Sequence, residues 1–211
     1  MAKSQLINLG HFEPVTRAMG PGLRACLWVR GCSIHCPGCI SPGYRDRDPA
    51  CAIALWRMLQ KIRKAKEKHG IEGVSFSGGE PFDQAPVLTA LAEAVHLLGL
   101  STLAWSGYTC RHLEGRRAPR SARDLLTHLD VLIDGPFQIK HRAEGLPLRG
   151  SSNQQIHLLT NRYRLEDLSH PCLEVRMHED QVVQMTGVTD YTKALAILEL
   201  LGLDGSTAMS R

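Results

Sequence analysis

The chain has 211 residues, of which 43% are hydrophobic and 22% charged, a composition typical of a globular protein with one substantial core. A net charge of +4 without a dense basic stripe argues against nucleic-acid binding, and no apolar run is long enough to span a bilayer. Residues 1–8 lack the apolar core of a signal peptide, so we expect a cytoplasmic protein with neither a nucleic-acid nor a membrane partner.

From residue 23 onward, short apolar segments alternate with amphipathic ones. In chain order, we predict strands at 23–29, 74–76, 100–105, 131–133 and 155–159, and helices at 52–68, 86–98 and 125–129. This alternation predicts an α/β fold of parallel β/α units, closed into a partial (β/α) barrel. Ligands of such folds bind at the carboxyl ends of the strands.

The C-terminal part of the chain follows a different pattern. Two β-prone segments, 173–177 and 181–185, flank the polar residues 178–180, which predicts a β-hairpin. A helix is expected at 193–201. We therefore expect a single domain over residues 1–211, with a core at about 20–160 and a C-terminal extension at about 171–202.

Three of the seven cysteines lie within eight residues, as Cys32-x3-Cys36-x2-Cys39, on the loop after the first predicted strand. This spacing is unlike a disulfide framework, and it places three soft ligands together in a reduced protein. Iron–sulfur clusters are held by cysteine thiolates. Three thiolates on one loop can hold three corners of a [4Fe–4S] cluster and leave the fourth iron open to another ligand.

Two other interpretations of the cysteine triplet remain open. The three thiolates could bind zinc together with His35 or a distant histidine, although zinc modules usually bring a second ligand pair. The segment 36–39 could instead be a thioredoxin-like redox pair, which would leave Cys32 without a role. Either alternative would make the chain a non-catalytic zinc or redox module.

A second motif, Gly78-Gly79-Glu80-Pro81, lies at the end of the second predicted strand. The two glycines would let the backbone approach a ligand closely, and Glu80 offers an anionic acceptor for an ammonium group. A plain strand-to-helix turn, with Pro81 at the first helical position, would have the same sequence. Short glycine motifs are weak evidence on their own.

Taken together, the cysteine triplet and the segment 78–81 resemble the radical S-adenosylmethionine superfamily. The resemblance implies that the methionyl amine and carboxylate bind the open iron, with Gly78 to Glu80 holding the amine. It also implies that the reduced cluster cleaves S-adenosylmethionine to methionine and a 5′-deoxyadenosyl radical. Because this cleavage requires no side-chain acid or base, no catalytic side chain is predicted.

Within that superfamily, the segments 105–109, 130–137 and 149–154 are similar, in this order, to activating enzymes of anaerobic ribonucleotide reductase. This resemblance implies that the radical removes a hydrogen atom from a glycine α-carbon in a large glycyl radical enzyme. The electron donor would then be a flavodoxin or a ferredoxin. The alternative is a radical enzyme that acts directly on a small molecule, a nucleoside or a peptide.

The same resemblance suggests further residues around the cofactor. Gly38 stands where many members carry an aromatic residue against the adenine, so contacts there would come from its backbone or from elsewhere. Ser106 is expected to line the adenosine pocket, and Asp134 to contact the ribose or the partner. Asp134 could equally shape the Asp-Gly turn. Arg149 is a possible charge partner for the substrate.

Overall fold

The computed structural model describes residues 5–143, 145–169, 173–177, 183–188 and 191–200. Its strands are β1 (Leu6–Thr16), β2 (Arg24–Val29), β3 (Ala52–Ala54), β4 (Gly73–Gly78), β5 (Ser101–Trp105), β6 (Val131–Asp134), β7 (Gln155–Leu158), β8 (Leu173–Met177) and β9 (Val183–Gly187). Its α-helices are α1 (Leu55–His69), α2 (Ala85–Leu97), α3 (Cys110–Leu113), α4 (Ala122–Leu126) and α5 (Tyr191–Leu200).

Seven strands form one sheet in the order β3-β1-β2-β4-β5-β6-β7. The four central strands, β2, β4, β5 and β6, pair in parallel, which confirms the predicted β/α units. Antiparallel pairing adds β1 and β3 at one side and β7 at the other. The architecture is thus a mixed α/β fold with a large, mostly parallel sheet.

The predicted helix at 52–68 is wrong at its first turn. Residues Ala52–Ala54 form strand β3, which pairs with β1 through Leu6 opposite Ala54, and the helix begins only at Leu55. The pairing partner lies almost fifty residues earlier in the chain, so a local pattern could not reveal it. The helix ends as predicted, because Gly70 adopts a left-handed φ of 66° and donates its N–H to the Lys66 carbonyl.

The two faces of the central sheet bury different apolar clusters. Helices α1 and α2 cover one face, where Leu27, Phe76 and Leu132 are completely buried. On the opposite face, Leu103 and Ile133 belong to a smaller cluster that is covered by the chain after β6. Successive residues of a strand point to opposite faces, which explains how β5 and β6 supply both clusters. Trp105, which packs against the smaller cluster, also lines a cavity.

The C-terminal elements match the prediction. Strands β8 and β9 form an antiparallel hairpin in which Leu173 pairs with Gly187, and helix α5 follows. The predicted turn at 178–180 and the predicted strand residues 181–182 lie outside the described residues. Within the described ranges, no helix combines the length and the apolar character needed to cross a membrane.

Candidate metal and cofactor site

The carboxyl ends of the parallel strands surround a cavity of about 420 Å³. Seven of the nine predicted site residues line it, and they come from three separate loops. They are Cys32, Cys36, Cys39, Gly78, Gly79, Glu80 and Ser106. The structure therefore brings the cysteine loop and the glycine motif to one place, although about forty residues separate them in the chain.

The cysteine loop is attached to the end of β2 by backbone hydrogen bonds. The amides of Gly31 and Cys32 donate to the carbonyls of Tyr44 and Arg45, at 2.9 and 2.8 Å. The Arg45 guanidinium in turn donates to the Cys36 carbonyl at 2.8 Å. Burial raises the pKa of the Cys32 and Cys36 thiols above the ordinary value, so a bound metal has to displace their protons.

A polar clamp beside Cys32, formed by Ser33, Asp83 and Tyr108, fixes the loop from the other side. Asp83 accepts the Ser33 amide at 2.7 Å and the Ser33 hydroxyl at 2.9 Å. The Tyr108 hydroxyl lies 2.6 Å from the Ser33 hydroxyl and donates to Asp83 at 3.1 Å. Sequence reasoning missed Asp83, whose position just after the glycine motif was the only available clue.

The two glycines of the motif allow the chain to pack against itself. At Gly78, with a φ of 104°, a Cβ would lie 2.5 Å from backbone atoms of Val29. At Gly79 a Cβ would lie 2.3 Å from the carbonyl oxygen of Gly31. Any side chain would thus push the end of β4 away from the cysteine loop. These glycines were predicted to let a ligand approach closely, and they also allow this close packing of the chain against itself.

Glu80 is 1% exposed at the end of β4. Its Oε1 accepts the Phe82 amide at 3.0 Å and the Ser106 hydroxyl at 2.9 Å, and its Oε2 accepts the Gly107 amide at 2.8 Å. Burial raises the pKa of Glu80 to about 7 in spite of these three donors. Since a carboxylate can accept about four hydrogen bonds, one acceptor position remains for a donor in the cavity.

Gly38 and Asp134 are not among the residues that line the cavity. Gly38 has a left-handed φ of 73°, and a Cβ there would meet the Ile139 side chain at 3.1 Å. The buried Asp134 carboxylate accepts the Cys110 amide at 2.5 Å and lies 3.1 Å from Nε2 of His157. Neither residue lines the cavity with the other seven, and their cofactor contacts stay predictions.

A family model described as "4Fe-4S single cluster domain" matches residues 18–157. The chain belongs to this family. It is 31% identical to the anaerobic ribonucleoside-triphosphate reductase-activating protein of Vibrio cholerae, over 73% of this chain and 99% of that protein. The Escherichia coli K12 protein of the same name is also 31% identical, over 72% and 99%. The pyruvate formate-lyase-activating enzyme of Staphylococcus aureus is 27% identical, over 78% and 65%.

Membership in the 4Fe-4S single cluster domain family favours the cluster over the zinc and thioredoxin alternatives. The chain is a radical S-adenosylmethionine enzyme of the activating type, and its cofactors are a [4Fe–4S] cluster and S-adenosylmethionine. The donor set agrees with this, because Cys32, Cys36 and Cys39 are all free thiols at one cavity. In the described ranges, no three His, Cys, Asp or Glu side chains converge on a single ion. A cluster requires no such convergence, since each cysteine binds a different iron.

The structure also adds residues to the site of this family member. Aromatic side chains of Trp28, Trp105 and Phe137 line the cavity, and none of the three was predicted there. Arg149, predicted as a charge partner for the substrate, lies in the lining and has a buried Nε without a hydrogen-bond partner. Gln154 fixes the loop that carries Arg149, because its Nε2 donates to the Gly135 carbonyl at 3.0 Å.

Proposed function

We propose that this chain activates a glycyl radical enzyme, with an anaerobic ribonucleotide reductase as the partner. The observation that carries the proposal is the convergence of the three free cysteines and the segment 78–80 on one cavity at the carboxyl edge of the sheet. Relatives matched over 99% of their length bear the name of an activating protein for that reductase. When bound, the two cofactors supply reductive cleavage of S-adenosylmethionine to a 5′-deoxyadenosyl radical.

In this proposal, the residues of the chain bind and orient. Cys32, Cys36 and Cys39 hold three corners of the cluster. Glu80 uses its remaining acceptor position for an N–H of the methionyl amine, next to the backbone of Gly78 and Gly79. Ser106 keeps the Glu80 carboxylate in place through its hydrogen bond of 2.9 Å. We retain Gly38 and Asp134 as proposed contacts of the adenosyl group.

The aromatic lining supports radical chemistry in another way. Trp28, Trp105 and Phe137 give the cavity an apolar wall that excludes water from the reacting carbon. A glycine of the partner would enter this space and lose a hydrogen atom from its α-carbon. Arg149 offers a guanidinium donor for a backbone carbonyl of the entering segment.

Some features of the proposal concern the whole protein. The central strands would curve into a partial (β/α) barrel of the radical S-adenosylmethionine type, and residues 1–211 would form a single domain with its core at about 20–160. A flavodoxin or a ferredoxin would supply the electron in the cytoplasm. These features are expected from the family resemblance of the cysteine triplet and the segment 78–81.

Anaerobic reconstitution of the cluster tests the proposal. We expect Cys36→Ala to lose the four-iron spectrum and the cleavage of S-adenosylmethionine. Cys51→Ala should keep both, because Cys51 is a free thiol outside the cavity lining. With the wild-type protein, reductant and the candidate reductase, electron paramagnetic resonance should show a glycyl radical on the reductase. A full four-iron cluster in Cys36→Ala would contradict the assignment of the cluster site. Cleavage of S-adenosylmethionine without a radical on the reductase would contradict the reductase as the partner.

A further inference from the structure

The C-terminal extension, defined here as the described residues 173–177, 183–188 and 191–200, contributes to the same cavity as the cysteines. Leu173, Gly187, Val188 and Ile197 all belong to the lining. The family model ends at residue 157, so this part of the wall lies outside the matched region. The activating proteins matched over 99% of their length leave more than a quarter of this chain unmatched.

A polar latch, formed by Glu13, Thr16, Glu174 and Arg176, ties the extension to strand β1. Arg176 of β8 lies 2.5 Å from Glu13 and 2.6 Å from Glu174, and its guanidinium also donates to the carbonyl of Val15. The Thr16 hydroxyl donates to Glu174 at 2.5 Å. Glu13 is only 4% exposed, whereas a third of the Arg176 side chain is exposed, so the central pair of the latch is shielded from water on the Glu13 side only.

The latch fixes the position of the extension relative to the cysteines. Strand β1 pairs with β2, and β2 leads directly into the cysteine loop. Burial tends to raise the pKa of Glu174, but the hydrogen bonds from Thr16 and Arg176 outweigh it and hold this pKa below its ordinary value. Glu174 is thus ionised at neutral pH and remains paired with Arg176. The extension is therefore attached to the core by charged contacts, and it meets the cavity through apolar side chains.

We propose that the C-terminal extension is the substrate-selecting wall of the cavity, and that it favours a peptide segment with apolar residues beside the reacting glycine. The inference rests on the proposed function, which identifies a glycine as the reacting residue. A volume of about 420 Å³ is at the lower end of the range for ligand sites, and the cluster and S-adenosylmethionine would occupy part of it, so a peptide segment that enters must touch the walls. Leu173, Val188 and Ile197 line this space together with the aromatic residues.

Helix α5 provides a matched pair of variants for the test. Ile197 lines the cavity, whereas Leu200 on the same helix is 86% exposed and does not. In the full-length, cluster-free protein, we expect Ile197→Ala to increase the rate of alkylation of the cavity thiols at least threefold, and Leu200→Ala to leave it unchanged. Arg176→Met should act like Ile197→Ala, and Arg63→Met, on the solvent side of α1, should not. Equal alkylation rates in Ile197→Ala and Leu200→Ala would contradict the proposal that the extension forms a wall of the cavity.

Selection is tested with the reconstituted enzyme and two synthetic peptides that carry an α-deuterated glycine, one with valine and one with aspartate on both sides. Transfer of the deuterium atom to the 5′-carbon leaves a radical on the glycine and yields deuterated 5′-deoxyadenosine. We expect the wild type to prefer the valine peptide at least tenfold in kcat/KM. Ile197→Ala should lose most of this preference through KM, and Leu200→Ala should keep it.

The outcomes separate the two proposals. If the wild type cleaves S-adenosylmethionine but takes deuterium from neither peptide and forms no radical on the reductase, the glycine target is wrong. The wall is then judged by the thiol alkylation rates alone, which should be at least threefold higher in Ile197→Ala than in Leu200→Ala. If deuterium transfer occurs with equal preference in wild type and Ile197→Ala, the glycine target stands and the selecting wall is wrong.

Discussion

Two buried charged side chains at opposite edges of the parallel sheet have different roles. Glu80 lies at the carboxyl edge and Arg24 at the amino edge, and they are 1% and 0% exposed. Among the residues that the structure describes, neither forms an ion pair. The two side chains are thus buried to a similar degree, and only the groups around each of them distinguish their roles.

Arg24 is enclosed and satisfied. Its Nε donates to the Ser75 hydroxyl at 2.7 Å, its Nη1 to the Ser101 hydroxyl at 2.8 Å, and its Nη2 to the Val74 carbonyl at 3.0 Å. A Cβ at Gly73 would lie 2.3 Å from Nη1, so the strand is shaped around the guanidinium. Although burial lowers its pKa, the group has hydrogen bonds across three strands and does not reach the cavity.

Glu80 differs because it belongs to the cavity lining. Its three donors come from its own turn and from the end of β5, and one acceptor position is left at the cavity. The comparison shows that burial of a charge does not by itself mark a functional group. A buried charge is better identified as functional when it has unused hydrogen-bonding capacity beside a cavity. Substitutions of Arg24 and Glu80 should therefore have different effects.

The largest effect is expected for Arg24→Met. The substitution removes the buried hydrogen bonds from the guanidinium to strands β4 and β5, so the free energy of unfolding should fall by about 4 kcal/mol. Urea unfolding of the cluster-free protein measures this change. The exposed Arg63→Met should change it by less than about 0.5 kcal/mol. A loss below about 1 kcal/mol in Arg24→Met would show that Arg24 is not structural.

The second effect concerns pH and Glu80. Folding raises the pKa of Glu80 from 4.5 to about 7, so the folded state binds the proton more tightly. The free energy of unfolding should therefore fall as pH rises from about 4.5 to 7, by at most about 3 kcal/mol, and stay level above that. Glu80→Gln lacks this titration. The difference between wild type and Glu80→Gln, measured by urea unfolding across this range, isolates it. A pH-independent difference would refute the raised pKa.

A third effect concerns ligand binding. Glu80→Gln should weaken the binding of S-adenosylmethionine to the reconstituted protein by about tenfold or more, because a neutral amide replaces a charged acceptor. Isothermal titration calorimetry under anaerobic conditions measures this affinity. Glu93→Gln, at an exposed position of α2, is the matched control and should bind like the wild type. Unchanged binding of S-adenosylmethionine in Glu80→Gln would show that Glu80 only connects β4 and β5 and does not bind the ligand.

The sequence was informative where chemistry depends on local spacing. The cysteine triplet, the segment 78–80 and Ser106 were predicted from short motifs, and the structure brings them to one cavity. Strand β3 was missed because it pairs with β1, almost fifty residues earlier in the chain. Strand β1 was also missed, although its partner β2 is the next strand in the chain. The contact of Asp83 with Ser33 spans fifty residues, and no local pattern encodes such a distance.

The smallest effect is expected for Ser106→Ala. The hydroxyl of Ser106 supplies one of the three donors to Glu80, so its loss should lower the free energy of unfolding by about 1 kcal/mol at pH 8. At pH 5 the effect should be smaller, because protonated Glu80 needs this donor less. The Glu80 midpoint should also move above about 7. The same urea series measures both changes, with the exposed Ser152→Ala as the control. A midpoint that stays in place would mean that Ser106 does not hold the carboxylate, and the cavity edge would then depend on the amides of Phe82 and Gly107 alone.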